Sequence, residues 1–153
     1  KIDMKEELQG AIEEAFPPNH AFHIQLKKDL HEGLPPLMMQ RAHLREIMVN
    51  LLVNAREAAG ENGMVQVSCR PSPQYAIELR VKDSGEGIPP DQREQIFEAY
   101  FTTKKKGTGL GLAIVKQNTE LYGGEIVVES ELGVGTEFIL TFPTRVLLQE
   151  NES

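Results

Sequence analysis

The stretch from Lys104 to Lys116, KKKGTGLGLAIVK, sets glycines at three alternate positions, Gly107, Gly109 and Gly111, directly ahead of a helical pattern. Without a Cβ, each can adopt positive φ and let the backbone approach a ligand closely. The residues that follow place Leu110, Ala113, Ile114 and Leu121 at helical spacing, so the unpaired N–H groups of a helix start face whatever the loop encloses. An anion suits that place. Lys104, Lys105 and Lys106 add positive charge, although a basic run is ordinarily a solvated loop. Glycine followed by helix also serves plain structural ends, so a second motif has to support a nucleotide. The spelling is G-x-G-x-G and not G-x-G-x-x-G, no strand pattern immediately precedes it and no Gly-Lys dipeptide occurs, which excludes both a dinucleotide fingerprint and a P-loop.

The chain has 153 residues, 40% of them hydrophobic, enough for one domain with its own core, and no repeat or low-complexity segment divides it. A formal net charge of −7 argues against nucleic acid as a partner, while a local basic patch can still meet a small anion. The single cysteine, Cys69, cannot form an internal disulfide and stands in the alternating run MVQVSC as a small core residue, which fits a reducing, cytoplasmic setting. The four histidines form no metal-ligand pattern with it. No apolar run reaches the length that spans a bilayer and no signal peptide is recognisable, so direct membrane contact is not expected. The missing initiator methionine suggests a piece of a longer chain.

Asp3 and Glu6 read as a capping box, and Met4, Leu8, Ala11, Ile12 and Ala15 follow at helical spacing until Pro17 and Pro18. Phe22, Ile24 and Leu26 alternate as in a half-buried strand, and His31 to Pro36 is a loop. From His43 to Ala58, Leu44, Ile47, Met48, Leu51, Leu52 and Ala55 form the stripe of a core helix. After the turn at Glu61 to Gly63, Val65, Val67 and Cys69, then Ile77, Leu79 and Val81, predict a hairpin. Pro89 and Pro90 start a short helix over Asp91 to Glu98, and the glycine-opened helix ends at Gly123 and Gly124. Two closing strands run over Glu125 to Ser130 and Thr136 to Phe142, the second with Phe138, Leu140 and Phe142 on one face; the tail after Pro143 is polar and expected to fray. About five strands and three or four helices, segregated along the chain, predict an α/β (α+β) two-layer sandwich with a mixed sheet.

Asn50 and Asn54 are four apart on the long helix and, at about 100° per residue, share one edge of its apolar stripe beside Ile47. Such a pair is commonly no more than a polar helix rim. Its chemical use would be Asn54 as a hard amide-oxygen ligand for Mg²⁺, an ion that takes few protein groups and keeps water and phosphate as its other partners. Asp83 ends a strand and opens DSGEGIP, which is either a simple Asp-led turn or an anchor for a base. An ionised carboxylate only accepts hydrogen bonds, so it would take one from an adenine amine and repel the guanine carbonyl.

With these residues in hand, the chain is seen to resemble the sensor histidine kinases. MVNLLVNAREAA is similar to their N box, VKDSGEGIP to the first glycine box, IFEAYFTTK to the phenylalanine box, GTGLGLAIVK to the second glycine box and GVGTEF to the third glycine motif, all in order from Met48 to Phe138. The resemblance covers almost the whole chain and implies the GHKL, or Bergerat, ATP-binding fold, with ATP and Mg²⁺ as ligands. It implies Asn54 as the Mg²⁺ ligand with Asn50 near the phosphates, Asp83 as the adenine anchor, and Gly85, Gly87 and Ile88 as the turn beneath the base. Gly107, Thr108, Gly109, Leu110, Gly111 and Leu112 resemble the triphosphate loop. Phe97 to Lys106 resembles a short flexible lid that brings Phe101, Thr102, Thr103 and Lys104 to the nucleotide, with Phe97 or Phe101 a packing hinge rather than a base-stacking platform. Thr136 is implied at the adenine pocket, through its hydroxyl or a water.

One departure stands out. Many family members carry a basic residue three positions after the metal-binding asparagine; this chain has Glu57, preceded by Arg56. The spelling NAREAA resembles a nitrogen-regulator-like group, in which Arg56 or the lid lysines would supply the missing charge.

Three functions share this fold. The first is donation of the γ-phosphoryl group of ATP to a histidine on a separate dimerisation domain, which needs mainly positioning and charge neutralisation. The second is an ATP-driven clamp similar to gyrase or the mismatch-repair ATPases, which place a general-base glutamate four residues before the metal-binding asparagine; Asn50 stands there, and an amide takes no proton. The third, a degenerate nucleotide-binding scaffold, sits poorly with intact Asn54, Asp83 and glycines. Glu46 reads as a solvated charge. His31 opens HEGLPPL, which matches the spacing of a phosphoacceptor motif, but Gly33, Pro35 and Pro36 disfavour the helix that motif needs. His20, His23 and His43 lack even that resemblance. The expectation is therefore a monomeric domain that binds ATP, does not phosphorylate itself, and reaches a response regulator only indirectly.

Overall fold

A computed structural model describes residues 2–17, 23–73, 76–99, 101 and 111–144. The first helix, α1 (Met4–Ala15), starts at Asp3, whose carboxylate accepts from the backbone N–H groups of Lys5 and Glu6, satisfying donors that a helix start leaves unpaired. Its buried stripe is Met4, Leu8, Ala11, Ile12 and Ala15, joined by the carboxylate of Glu7, which Arg41 and Arg45 approach at 3.3 and 3.4 Å. Strand β1 (Gln25–Leu30) follows, then helix α2 (Arg41–Ala59), strands β2 (Met64–Ser72) and β3 (Ala76–Asp83), helix α3 (Gly111–Leu121), and strands β4 (Glu125–Glu131) and β5 (Gly135–Pro143).

The strands form one sheet in the order β1-β2-β3-β5-β4; β1 runs parallel to β2 and every other pairing is antiparallel. Alternation decides which face is dry. Val65, Val67, Cys69, Ile77, Leu79, Val81, Phe138, Leu140 and Phe142 point to the helices and are each at most 1% exposed. They meet the α2 stripe of Leu44, Ile47, Met48, Leu51, Leu52 and Ala55, the residues whose spacing predicts it. The opposite face carries ion pairs, Arg80 with Glu78 and Glu137 and Arg70 with Asp29. The result is the expected two-layer sandwich.

Three elements differ from expectation. Strand β1 lies further along than Phe22 to Leu26, and Phe22 is outside the described residues; parallel pairing begins where Gln25 N–H donates to Gly63 at 2.9 Å. Between β3 and α3 the chain makes two 3₁₀ turns, Pro90–Gln92 and Gln95–Phe97, instead of a continuous helix. Ile96 of the second turn is buried in the core, and Arg93, at the end of the first, donates to the Ser130 carbonyl. On α3 the buried residues are Val115, Asn118 and Thr119, while Leu121 is 62% exposed. The helix is turned so that Gly111, Val115 and Asn118 face α2. The polar tail after residue 144 lies outside the described residues.

Candidate functional site

Glu46, Asn50, Asn54 and Ala58 recur every four residues and form one ridge along α2. At its first turn the Glu46 carboxylate accepts from Asn118 Nδ2 of α3 at 2.8 Å, so Glu46 is not merely a solvated charge but a tie between the two helices. One turn on, Asn50 Nδ2 donates to the Glu46 carbonyl at 2.8 Å, which leaves its Oδ1 against the start of α3: a Cβ added to Gly111 would stand 3.0 Å from that oxygen. Asn54 is half-buried in the next turn. The ridge ends at Ala58, whose carbonyl lies so close to Gly85 that a Cβ there would be 2.5 Å from it. The ridge thus runs from the glycine-opened helix to the loop after β3, with Asn54 between them.

That loop is held from two sides. Asp83, 3% exposed, accepts from Gly85 N–H through Oδ1 at 2.9 Å, the turn that a short acidic side chain makes with its own backbone. Across the ladder it pairs with Thr136, 6% exposed, so both side chains share the helix-facing side of the sheet. The turn between β4 and β5 supports the loop from beneath: Gly133 N–H donates to the Glu86 carbonyl and Ile88 N–H to Ser130 Oγ, each at 2.8 Å. Gly87 has a φ of 84° and would bring a Cβ to 2.5 Å from the Glu131 carbonyl, so this crossing admits no side chain. Asp83, Gly85, Gly87, Ile88 and Thr136 are therefore brought together at one end of the sheet.

Two residues along β5 from Thr136, Phe138 meets the ring of Phe97 edge-on at 6.2 Å between ring centroids, with Lys116 Nζ 5.6 Å from the Phe97 ring. Phe101 and Leu112 are half-buried against the same core. Thr102, Thr103, Lys104, Lys105, Lys106, Gly107, Thr108, Gly109 and Leu110 lie outside the described residues. Arg56 does not turn towards the ridge. It lies two residues past Asn54, about 200° around the helix, and its guanidinium donates to the Ala15 carbonyl at the end of α1. His31 sits in a loop where its N–H donates to Cys69 at 2.9 Å, not on a helix. Among the described residues, no three His, Cys, Asp or Glu side chains converge where a metal could be held. Among the same residues, no helix is long and apolar enough to cross a membrane.

This layout, an open mixed sheet with a glycine loop at the end of a central strand and an asparagine ridge above it, defines a nucleotide-binding α/β sandwich. The family described as histidine kinase-, DNA gyrase B-, and HSP90-like ATPase matches residues 39–146, and the chain belongs to it. It is 34% identical over 145 residues to the sensor histidine kinase ZraS of Escherichia coli (strain K12), covering 95% of this chain and 31% of that protein. It is 35% identical over 130 residues to sporulation kinase E of Bacillus subtilis (strain 168), covering 85% of this chain and 18% of the relative. The chain thus spans under a third of the length of these two kinases. The fold matches the mycobacterial sensor histidine kinase MprB with a TM-score of 0.83 and 28% identity, over 94% of this chain and 97% of that one. Full-length ShkA in complex with AMPPNP matches with a TM-score of 0.81 and 32% identity, over 93% of this chain and 30% of that one. The fold is accordingly that of the ATP-binding catalytic domain of sensor histidine kinases.

Sequence reasoning passed over Ser130, Asn118 and Arg93. For two of them a signal existed: Ser130 continues the inward alternation of Ile126 and Val128, and Asn118 lies on the buried side of α3 with Val115. A polar residue at an inward position must find a partner there.

Proposed function

We propose that this chain binds Mg-ATP and donates the γ-phosphoryl group to a histidine on a separate dimerisation domain of a two-component kinase, with a response regulator downstream. The observation that carries it is the α2 ridge, which sets Asn54 between the helix opened by Gly111 and the loop carrying Asp83, Gly85 and Gly87. In this reading Asp83 and Thr136 take the adenine edge, and Gly107, Gly109 and Gly111 take the phosphates with Lys104 nearby. The basic residue missing at Glu57 is replaced by the lid lysines rather than by Arg56.

The donor set suits magnesium. A neutral amide oxygen at Asn54, half-buried on the ridge, is the single hard ligand that this ion needs when phosphates and water supply the rest. When bound, Mg²⁺ would neutralise charge on the β- and γ-phosphates. The chain's own residues position the nucleotide and exclude a base: Asn50 is an amide with its nitrogen committed to the Glu46 carbonyl, so nothing at that position activates water. That favours transfer over the hydrolytic clamp. The acceptor imidazole is itself the nucleophile. The domain would act as a monomer on the cytoplasmic side of its parent kinase.

The test joins this domain to its dimerisation domain, supplies Mg-ATP labelled at the γ-phosphate, and follows acid-labile label on histidine. Label should appear, and Asn54→Ala should abolish it. Transfer undiminished in Asn54→Ala would remove the metal assignment, and steady ATP hydrolysis with no phosphohistidine would favour the clamp.

A further inference from the structure

Ser130 makes three hydrogen bonds with one proton. Its Oγ lies 2.8 Å from Ile88 N–H, 3.0 Å from the Gly135 carbonyl and 2.9 Å from Thr136 Oγ1. A backbone N–H only donates and a carbonyl only accepts. Ser130 therefore accepts from Ile88 and spends its proton on Gly135, and the third contact closes only if the Thr136 hydroxyl donates to Ser130. Thr136 then has only lone pairs left to offer. It stands directly across the ladder from Asp83, whose carboxylate also only accepts.

We infer that Ser130 is a positioning residue for base selection: by taking the Thr136 proton, it makes the end of β3 and β5 a wall of acceptors that pairs with a purine bearing an exocyclic amine and rejects one bearing an oxo group. This rests on the reading of Asp83 and Thr136 as the adenine end of the site. It adds that discrimination is set by a residue that does not touch the base. The amine offers two N–H donors, which the two acceptors take directly or through a water. A 6-oxo purine faces the same wall with acceptors against acceptors. Without the Ser130 hydroxyl, the Thr136 hydroxyl would be free to rotate and donate, and the oxo group would gain a partner.

The experiment measures the affinity of this chain for Mg-ATP and for Mg-ITP, which differ in that amine and oxo group, in the parent sequence and in Ser130→Ala and Ser130→Thr. The parent should prefer ATP. Ser130→Ala should narrow the ATP:ITP ratio by about three- to tenfold, the worth of one hydrogen bond exchanged. Ser130→Thr, which keeps the hydroxyl, should restore the ratio. Equal weakening of both nucleotides in Ser130→Ala would leave only a structural role for Ser130 and overturn the inference. Should Ser130→Ala not fold, Thr136→Val decides: the ratio should narrow there too, and an unchanged ratio would overturn the inference. If the parent sequence binds neither nucleotide, the reading of the site itself fails, a result distinct from all of these.

Discussion

Gly85 shows how tightly a single residue can be specified. A Cβ at this position would come within 2.5 Å of the Ala58 carbonyl and 2.9 Å of the Asp83 carboxylate, and neither neighbour is the free end of a flexible side chain. Gly85→Ala should lower stability by about 1–3 kcal/mol, as overpacking of a close backbone contact does, and weaken ATP binding by displacing Asp83. Thermal melting and calorimetry check both halves, and an unshifted Tm would contradict the packing account. Cys69 makes a second case. Burial pushes its thiol up from 9.0 to about 12. The folded chain keeps the proton while the unfolded chain ionises above pH 9, so this part of the stability is complete below pH 9 and is lost as pH rises towards 12. At pH 10 the loss should be about 1 kcal/mol, measured as the difference in urea denaturation between the parent and Cys69→Ala. Parallel pH profiles for the two proteins would contradict it.

Among the elements, α2 organises the site. Its apolar stripe seats it on the sheet, and its polar ridge meets α3 at Glu46 and Asn50 and the first glycine loop at Ala58. Asn118→Ala would remove the tie from α3 to Glu46; because Glu46 is exposed and can turn back to water, the cost should be modest, about 0.5–1.5 kcal/mol in urea denaturation. A loss above that range would mean that the contact carries more than one hydrogen bond. The stripe of α2 was legible in the sequence because one apolar period dictates one face, and the β2–β3 hairpin because alternation dictates which side is dry. Helix α3 was less legible. Its buried side carries Asn118, whose partner Glu46 lies 72 positions away, a contact that no local period encodes. The 3₁₀ turns at Pro90–Gln92 and Gln95–Phe97 escaped for the same reason, since Arg93 answers to Ser130 on a distant strand. In the site, Asp83 and the glycines stood out by spelling; Ser130 did not, because its part is to support others.

Across the whole molecule, the sheet has a dry face that builds the core and a wet face laced with ion pairs, and the candidate site opens at one end of the dry face, where the alternation of β3 and β5 turns polar at Asp83 and Thr136. The Asp83–Thr136 end of the sheet, the asparagine ridge of α2 and the glycine-opened helix are brought together by that single arrangement. The central claim is that the arrangement holds Mg-ATP by its adenine edge. Calorimetric titration of this chain with Mg-ATP, set beside Asp83→Asn, tests it most directly. An asparagine oxygen can still accept from Gly85 N–H, so the loop is preserved while the charge and half of the acceptor capacity are lost. The parent should bind one ATP and the variant should lose at least about tenfold in affinity, the effect of a buried charge-assisted hydrogen bond. Equal affinity in the two proteins would contradict the assignment of Asp83 as the base anchor.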